Sequence, residues 1–321
     1  MTKTKPAAKK VAELHEDAAS GASASTLPKE PSFAVTERKE TNLTDPSAYA
    51  ADASGGMENV GNEEQVVPFY RILQALSPAI ADNLIPGAVA GQIINVATQQ
   101  RWDSKEGVVF IPAVREHNFA KFTPRDKGGG FEGLYLPDDP VVLDCQRRAD
   151  RLWKEGKRPN DHRFGKLPTG DDKELIETYY LFGHFLDQSE DEPMPSRGVI
   201  AYASSQIKVY KQMITLLNGL RYNNNGQLIP YPLWSHRWRM KTVSVKGKKG
   251  TYYAWQPSML NETPIASRLP ANHPVYLLGR EMYTSWRDGK LNAQYNQMSS
   301  DDVDAAESGD GSESDGPQPE M

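Results

Sequence analysis

The segment HRWRMKTVSVKGKKGTYYAW, residues 236–255, is the stretch of sequence that decides the fold. Two runs rich in β-branched and aromatic residues, HRWRMKTVSV and TYYAW, flank the glycine-containing connection KGKKG. Runs of this composition are typical of strands, and a short connection with glycine between two of them is typical of a β-hairpin. The segment therefore predicts an antiparallel pair of strands.

The two faces of the first strand differ in character because alternate residues of a strand point to the same side. Arg237, Arg239 and Lys241 form a row with a spacing of about 6.6–6.8 Å. That spacing is comparable with the phosphate repeat of an extended nucleic-acid strand. Trp238 and Met240 occupy the opposite face and suit a hydrophobic core.

The second strand carries aromatic residues on both faces. Tyr253 and Trp255 share one face with Thr251, and Tyr252 lies on the other. We expect one of these two sets to be available for stacking. The turn between the strands is predicted to be a mobile cationic finger, formed by Lys246, Lys248 and Lys249.

Further strands and helices are predicted outward from the hairpin. An apolar segment at 65–76 is a helix or a strand, and β-branched or aromatic runs predict strands at 91–98, 107–114, 117–124, 178–187 and 198–204. Helices are predicted at 144–158, at 206–219 after the cap pair Ser204–Ser205 and before Gly219, and at 274–289 with Pro274 in the first turn. The fold class is therefore α+β and mainly antiparallel β, with an OB-fold-like barrel core and peripheral helices.

Composition divides the 321 residues into three parts. Mean hydropathy is −0.63, so part of the chain is expected to stay disordered. We predict a disordered N-terminal arm (1–62), one nucleic-acid-binding core (63–298) with a loop and helix insertion near 126–176, and a disordered acidic tail (299–321). The sequence shows no membrane span or secretory signal, and the single cysteine, Cys145, fits a reducing compartment, so we expect a cytoplasmic protein.

The net charge of −5 conceals a strong segregation of charge. The arm carries −2, the core +5 and the tail −8. No Asp or Glu occurs in the 69 residues between Glu192 and Glu262. This acid-free window holds ten bases: Arg197, Lys208, Lys211, Arg221, Arg237, Arg239, Lys241, Lys246, Lys248 and Lys249.

No catalytic or metal-binding motif is present in the sequence. Gly128–Gly130 is not followed by the Gly-Lys-Ser/Thr of a phosphate-binding loop. The acid pairs Asp138–Asp139 and Asp171–Asp172 are read as solvated turn residues, His184 as a core histidine and Cys145 as an inert thiol. The six histidines and one cysteine show no metal-ligand spacing. We therefore predict a protein that is not an enzyme and has no cofactor.

The acid-free window favours binding of a single-stranded nucleic acid, which requires cations for the phosphates and flat rings for the bases. The competing interpretation is that the rings belong to the core and the lysines to a solvated turn. A second, weaker candidate alternates aromatic and basic residues at 119–125. Together the predicted binding residues are Lys208, Lys211, Arg221, Tyr231, Trp234, Arg237, Arg239, Lys241, Lys246, Lys248, Lys249, Tyr252, Tyr253, Trp255, Phe119, Lys121, Phe122 and Arg125.

The acidic tail contains eight carboxylates and no base: Asp301, Asp302, Asp304, Glu307, Asp310, Glu313, Asp315 and Glu320. Such a tail serves solubility in many proteins. A tethered polyanion can also compete with nucleic acid for a basic groove, and it can recruit partner proteins once nucleic acid has displaced it.

The layout resembles that of phage-encoded single-stranded-DNA-binding proteins. The segments that carry the resemblance are VVPFYRILQALSP, FTPRDKGGGF, SSQIKVYKQMITLL and WRMKTVSVKGKKGTYYAW, and together they cover about a third of the chain. The resemblance implies protection of single strands during replication or recombination, with partners recruited through the tail. This tail ends in Gly-Pro-Gln-Pro-Glu-Met rather than in the apolar or aromatic residue of several such families.

The predicted function is therefore sequence-independent binding of single-stranded DNA in phage DNA replication or recombination, in the cytoplasm of the host cell. Its predicted partners are single-stranded DNA, replication or recombination proteins and a further copy of the chain. One alternative is a recombination mediator that anneals complementary strands. Another is a structural or assembly protein of a virion, and a nuclease is the third.

Overall fold

A computed structural model describes residues 55–56, 67–123, 127, 130–157, 165–171, 173–186, 195–247, 250–291, 293 and 295. The described residues from Val67 onward belong to one compact unit, residues 59–321. The predicted acidic tail, and all of the predicted N-terminal arm except Gly55 and Gly56, lie outside the described residues.

Strands predominate in the described part of the chain. In chain order they are β1 Tyr70–Ile72, β2 Ile93–Asn95, β3 Arg101–Trp102, β4 Val108–Phe122, β5 Phe131–Tyr135, β6 Lys166–Pro168, β7 Glu174–Leu186, β8 Pro195–Ala203, β9 Arg221–Asn224, β10 Gln227–Pro230, β11 Trp238–Gly247 and β12 Gly250–Met259. The helices are α1 Pro78–Ala81, α2 Pro140–Lys154, α3 Gln206–Gly219, α4 Pro264–Ser267 and α5 Pro274–Arg287, and a 3₁₀ turn spans Leu233–Ser235.

The two longest strands, β4 and β7, pair antiparallel along almost their whole length and form the centre of the main sheet. Strand β4 unites the two strands predicted at 107–114 and 117–124. A register shift between Pro112 and Val114 marks a bulge in it. Proline has no N–H to donate to a ladder, and a bulge is one of the few places in a sheet that accepts it.

Each central strand changes its outer partner along its length. Strand β4 pairs with β11 through residues 108–110 and with β5 through residues 119–122. Strand β7 pairs with β6 at its beginning and with β8 from Thr178 onward. Within the described residues, positions 111–118 of β4 therefore have no strand partner on the side away from β7.

The main sheet is open, with the order β12-β11-β4-β7-β6, and β5 and β8 pair with β4 and β7 outside this path. The α+β, mainly antiparallel class is confirmed. The OB-fold-like closed barrel is wrong, because the strands at the two ends of the sheet do not pair with each other.

Both faces of the main sheet are covered. Helix α3 and the small sheet β1-β2-β3 pack on one face, in a cluster that includes Phe185, Tyr210 and Trp238. Helix α5 packs against β4 and β7 on the other side, where Met282 is buried. Helix α2 covers Phe119 through Val142 and Cys145. Burial raises the pKa of the Cys145 thiol, which agrees with its interpretation as inert.

The three longer helices confirm the predicted ones: α3 has the predicted bounds, and α2 and α5 have shifted ends. Helix α2 begins four residues earlier than predicted, because the side chain of Asp139 accepts a hydrogen bond from the Val141 N–H at 2.8 Å. Ser205 precedes α3 as predicted, but its side chain makes no capping bond. Gly219 ends α3 without a left-handed backbone, so a special conformation is not its role there.

The predicted insertion near 126–176 contributes β5 and β6 to the main sheet as well as helix α2. A further hairpin, β9–β10, was not predicted. Its turn residues Asn225 and Gly226 both have positive φ, 52° and 87°. Two such residues in succession match a type I′ hairpin turn, for which Asn-Gly is the usual sequence.

Candidate nucleic-acid interface

The predicted alternation along β11 is present in the structure. Trp238 and Met240 are buried in the core cluster on the α3 side. Arg239 and Lys241 are half-buried on the opposite face, and Arg237 directly precedes the strand. We call Arg237, Arg239 and Lys241 the cationic strand face.

Main-chain carbonyl groups hold the two arginines of this face. Arg237 Nη2 donates to the Ala266 oxygen at 3.0 Å, and Arg239 Nη1 donates to the Glu106 main-chain oxygen at 3.3 Å. No described carboxylate forms an ion pair with Arg237, Arg239 or Lys241. A carbonyl orients a guanidinium without cancelling its charge, so these cations remain available to an anionic ligand.

The aromatic residues of β12 divide between the two faces as predicted. Tyr252 lies opposite Val245, on the face that carries Lys241, and is half-buried. Tyr253 lies on the core face, where its main chain exchanges two hydrogen bonds of 2.9 Å with the side chain of Gln74. Lys246 is exposed near the end of the hairpin, whereas Lys248 and Lys249 lie outside the described residues.

Three predicted stacking rings are buried and do not belong to a binding surface. Trp255 is 4% exposed in the core cluster under α3. Phe119 and Phe122 are 4% and 0% exposed, because residues of α2 pack on Phe119 and the ring of Phe131 in β5 packs on Phe122. These rings cannot stack on a base unless the core opens, so core packing was the correct interpretation for them.

The cation of the second candidate segment is neutralised. Lys121 Nζ donates to Asp171 Oδ2 at 2.7 Å, and a Glu132 oxygen lies 3.9 Å away. The hydrogen bond from Lys121 lowers the pKa of Asp171 to about 2, so the carboxylate stays charged at neutral pH. Arg125, the remaining cation of this segment, lies outside the described residues.

A cleft of about 700 Å³ opens beside β4 at the stretch that has no outer strand partner. The cleft exists because β11 leaves β4 after residue 110 and β5 joins only at residue 119, so helices and a turn border the gap instead of a strand. It is lined by Ala113, Val114, Arg115, His117, Ile214, Leu217, Asn218, Tyr231, Pro232, Leu233, Trp234, Tyr283 and Trp286. We call it the aromatic cleft.

One wall of the aromatic cleft is a row of three neighbouring rings. The centroids of Trp234 and Tyr283 are 5.3 Å apart, and those of Tyr283 and Trp286 are 6.1 Å apart, with interplanar angles near 30° in both pairs. Gly279 allows α5 to approach the 3₁₀ turn, because a Cβ atom at this position would collide with Trp234. The geometry of this wall therefore depends on a small residue in the helix behind it.

A second set of rings stacks under the opposite wall. His117 and Tyr179 are parallel within 5° at 4.2 Å, and Tyr179 in turn stacks on Tyr210 at 4.5 Å. Glu177 accepts hydrogen bonds from His117 Nε2 at 3.1 Å and from the Tyr179 hydroxyl at 2.7 Å. The hydrogen bond from His117 lowers the pKa of Glu177, and Lys211 Nζ lies 5.7 Å from the Tyr179 ring centre.

Cations surround the aromatic cleft. Arg115 is part of the lining and is exposed. The guanidinium of Arg221 donates to the carbonyl of Asn218, another lining residue. Arg268 Nη1 donates to the hydroxyl of the lining residue Tyr231 at 2.7 Å. None of the described residues that line the cleft carries a carboxylate.

Two of the predicted binding residues, Tyr231 and Trp234, line this cleft, and Arg221 hydrogen-bonds to the lining residue Asn218. Lys211 lies beside the ring of Tyr179, which stacks on the lining residue His117. Lys208 is exposed elsewhere on α3. Five residues in or beside the cleft were not predicted from the sequence and come from segments far apart in the chain: Arg115, His117, Arg268, Tyr283 and Trp286. Met282 and Trp286 recur at helical spacing on α5, a pattern that is typical of a core face and does not indicate a binding surface.

The described residues include no group of three or more His, Cys, Asp or Glu placed to hold a metal ion. No helix among them has both the length and the apolar composition needed to cross a membrane.

Comparison with known proteins gives one match. The sequence matches the model of a family described as Pam3 phage gp34-like protein over residues 38–292 of the 321. Searches of the curated proteins and of the solved structures gave no match.

Proposed function

The chain belongs to the Pam3 phage gp34-like family, and we propose that it binds single-stranded DNA without sequence preference during phage DNA replication or recombination. One observation carries the proposal. The acid-free window folds so that Arg221, Arg237 and Arg239 are held by carbonyl groups rather than carboxylates, next to partly exposed aromatic rings.

This arrangement matches the two requirements of a single strand. Uncompensated cations attract the phosphates, and their effect is strongest at low salt because binding releases counterions. Unpaired bases expose flat faces that stack on aromatic rings, whereas the bases of a duplex do not. The half-buried Tyr252 lies on the same face as Lys241, so a ring and a cation are presented together.

The proposal places the protein in the cytoplasm of an infected bacterium, where it protects single strands without catalysing a reaction. The acidic tail competes for the cationic surface or recruits replication and recombination proteins. Self-association along a bound strand is part of the same proposal.

The test is fluorescence anisotropy of labelled oligo-dT and of a labelled duplex, each titrated with the full chain at several salt concentrations. We expect tighter binding to oligo-dT than to the duplex. The double variant Arg239→Glu/Lys241→Glu removes two phosphate contacts. It is expected to weaken binding at low salt and to make the slope of log K against log salt shallower by about 1.4.

The control carries the same change of charge on helix α2, away from strand β11. Arg151→Glu/Lys154→Glu alters two exposed bases near the end of α2 and is expected to bind oligo-dT like the wild type. Equal affinity for oligo-dT and duplex would contradict the proposal and favour a virion role. Faster annealing of complementary strands, with ring or filament formation, would favour a recombination mediator.

A further inference from the structure

We infer that the aromatic cleft is a subsite for one unstacked nucleobase of a bound single strand. This inference deepens the proposed function and rests on it. It adds Tyr283 and Trp286 to the predicted rings Tyr231 and Trp234 and places stacking in the gap beside β4 rather than on the β11–β12 hairpin. The base stacks on the wall formed by Tyr283 and Trp286, and the adjoining phosphates lie at Arg115 and Arg221.

The size of the aromatic cleft suits such a ligand. Its volume of about 700 Å³ lies inside the range of about 300–1,000 Å³ for pockets that enclose small organic molecules. Tyr283 is the most accessible ring of the wall, with 37% of its surface exposed, and it contacts the rings on both sides of it. A base placed against it therefore meets a continuous aromatic surface.

The charges around the cleft favour an anionic strand over a neutral ligand. Arg115 contributes its cation to the lining directly, and Arg221 and Arg268 each hydrogen-bond to a residue of the lining. Two carboxylates outside the lining, Glu116 and Glu177, accept hydrogen bonds from the lining side chains Trp286 and His117. A guanidinium has five N–H donors, so the arginines keep donors for phosphate.

A base must leave the stack to enter this subsite. The cleft lies between α3, α5 and the 3₁₀ turn, and its aromatic wall requires access to the flat face of the base. Bases of a duplex are stacked and paired, so their insertion costs the free energy of unstacking. The subsite therefore predicts a preference for single strands that the cationic strand face alone does not provide.

The first experiment compares two truncations on the same helix. Tyr283→Ala removes the accessible ring, and Leu277→Ala is the control because Leu277 is 39% exposed on α5 and does not line the cleft. Loss of one stacked base is expected to weaken oligo-dT binding about 5- to 150-fold for Tyr283→Ala. Leu277→Ala is expected to bind oligo-dT with the affinity of the wild type. Both variants are expected to bind duplex as weakly as the wild type does.

The second experiment locates the base. An oligo-dT that carries 5-iodouracil is photo-crosslinked to the full chain, and the modified residues are identified by mass spectrometry. Crosslinks on Tyr283, Trp286 or Trp234 are expected. Tryptophan quenching by unlabelled oligo-dT is expected to decrease in Trp286→Phe and to persist in the control Trp153→Phe, whose ring is 43% exposed on α2.

The outcomes separate the subsite from the proposed function. If oligo-dT binds, responds to Arg239→Glu/Lys241→Glu and crosslinks only to the β11–β12 hairpin, the subsite is wrong and the proposed function stands. If oligo-dT does not bind at all, both are wrong. Crosslinking of a photoreactive peptide of residues 299–321 to Tyr283, with the oligonucleotide bound elsewhere, would assign the cleft to the acidic tail and overturn the inference.

Discussion

Trp286 and Glu116 join the last helix to the central strand: the indole Nε1 donates to Glu116 Oε1 at 2.6 Å. The hydroxyl of Tyr295 donates to the other carboxylate oxygen at 2.7 Å. Burial, together with the charge of Glu116, raises the pKa of Tyr295. One carboxylate therefore fixes both the wall of the aromatic cleft and the described residue nearest the start of the tail.

Glu116→Ala is expected to lower the free energy of unfolding by about 2–4 kcal/mol, because it leaves the indole and the phenol without an acceptor. Urea unfolding followed by circular dichroism measures the change. The control is Glu106→Ala, which truncates an exposed carboxylate and is expected to stay within about 0.5 kcal/mol of the wild type. Equal stabilities of the two variants would contradict the structural role of Glu116.

Gly183 is expected to tolerate no larger residue. A Cβ atom there would collide with the Ile111 carbonyl and the Phe110 ring in the neighbouring strand β4. We expect Gly183→Ala to destabilise the protein by about 1–3 kcal/mol. Gly219→Ala is the matched change, since nothing lies within 4 Å of its added methyl group at the end of α3. Gly219→Ala is expected to stabilise the protein by about 0.5–1 kcal/mol. A loss of stability in this variant would contradict the assigned end of α3.

His184 is expected to make stability depend on pH. Burial lowers its pKa to about 4, with a further contribution from Arg197. In the unfolded chain the imidazole has its ordinary pKa of about 6.5, so that state binds more protons between pH 6.5 and 4. Stability therefore falls as the pH is lowered through this range, by about 2 kcal/mol between pH 7 and 5.

The check is thermal or urea unfolding of the wild type and of His184→Gln at pH 7, 6 and 5. His184→Gln is expected to lose most of the dependence of stability on pH. Burial also lowers the pKa of His236, so a smaller slope of the same sign remains. If the free energy of unfolding of His184→Gln changes with pH as steeply as that of the wild type, a group other than His184 causes the dependence.

Deletion of residues 299–321 is expected to strengthen binding of oligo-dT at low salt, because it removes eight charges that compete for the cations. The difference from the full chain is expected to shrink as salt rises. Anisotropy titrations over a range of salt measure it, with a chain of the same length whose tail acids are replaced by Asn and Gln as the control for length. Identical affinities of the full and truncated chains at every salt concentration would reject competition by the tail.

The sequence predicted the elements in which local pattern and tertiary context agree. The hairpin β11–β12 was predicted because its period-two pattern is uninterrupted, and α3 and α5 because their apolar residues recur at helical spacing. The continuity of β4 was missed because Pro112 and the charged pair Arg115–Glu116 interrupt its apolar pattern. The bulge and the missing outer partner accommodate these residues, and neither is visible in a local window.

The candidate site was predicted only in part, for a related reason. Arg237 and Arg239 are held by carbonyl groups, as the acid-free window suggested, whereas Arg197 of the same window pairs with Glu281 from the distant helix α5. Burial of Trp255 and Phe122, in contrast, depends on which elements cover the strands, and this is decided by distant parts of the chain. The aromatic cleft assembles from β4, α3, the 3₁₀ turn and α5, so no single stretch of sequence contains its signature.

The pairing of β4 with β7 has a consequence for the order in which the protein folds. Val109 pairs with Leu186 and Phe122 with Glu174, so the chain closes a long loop to form this pair. Contacts so distant in sequence form slowly, because the entropy of loop closure is lost before they are made. The local hairpin β11–β12 can form early, but it has no edge to join until β4 and β7 have met. The central pair is therefore expected to be the rate-limiting event, and changes such as Gly183→Ala are expected to slow refolding more than equally destabilising changes in the hairpin.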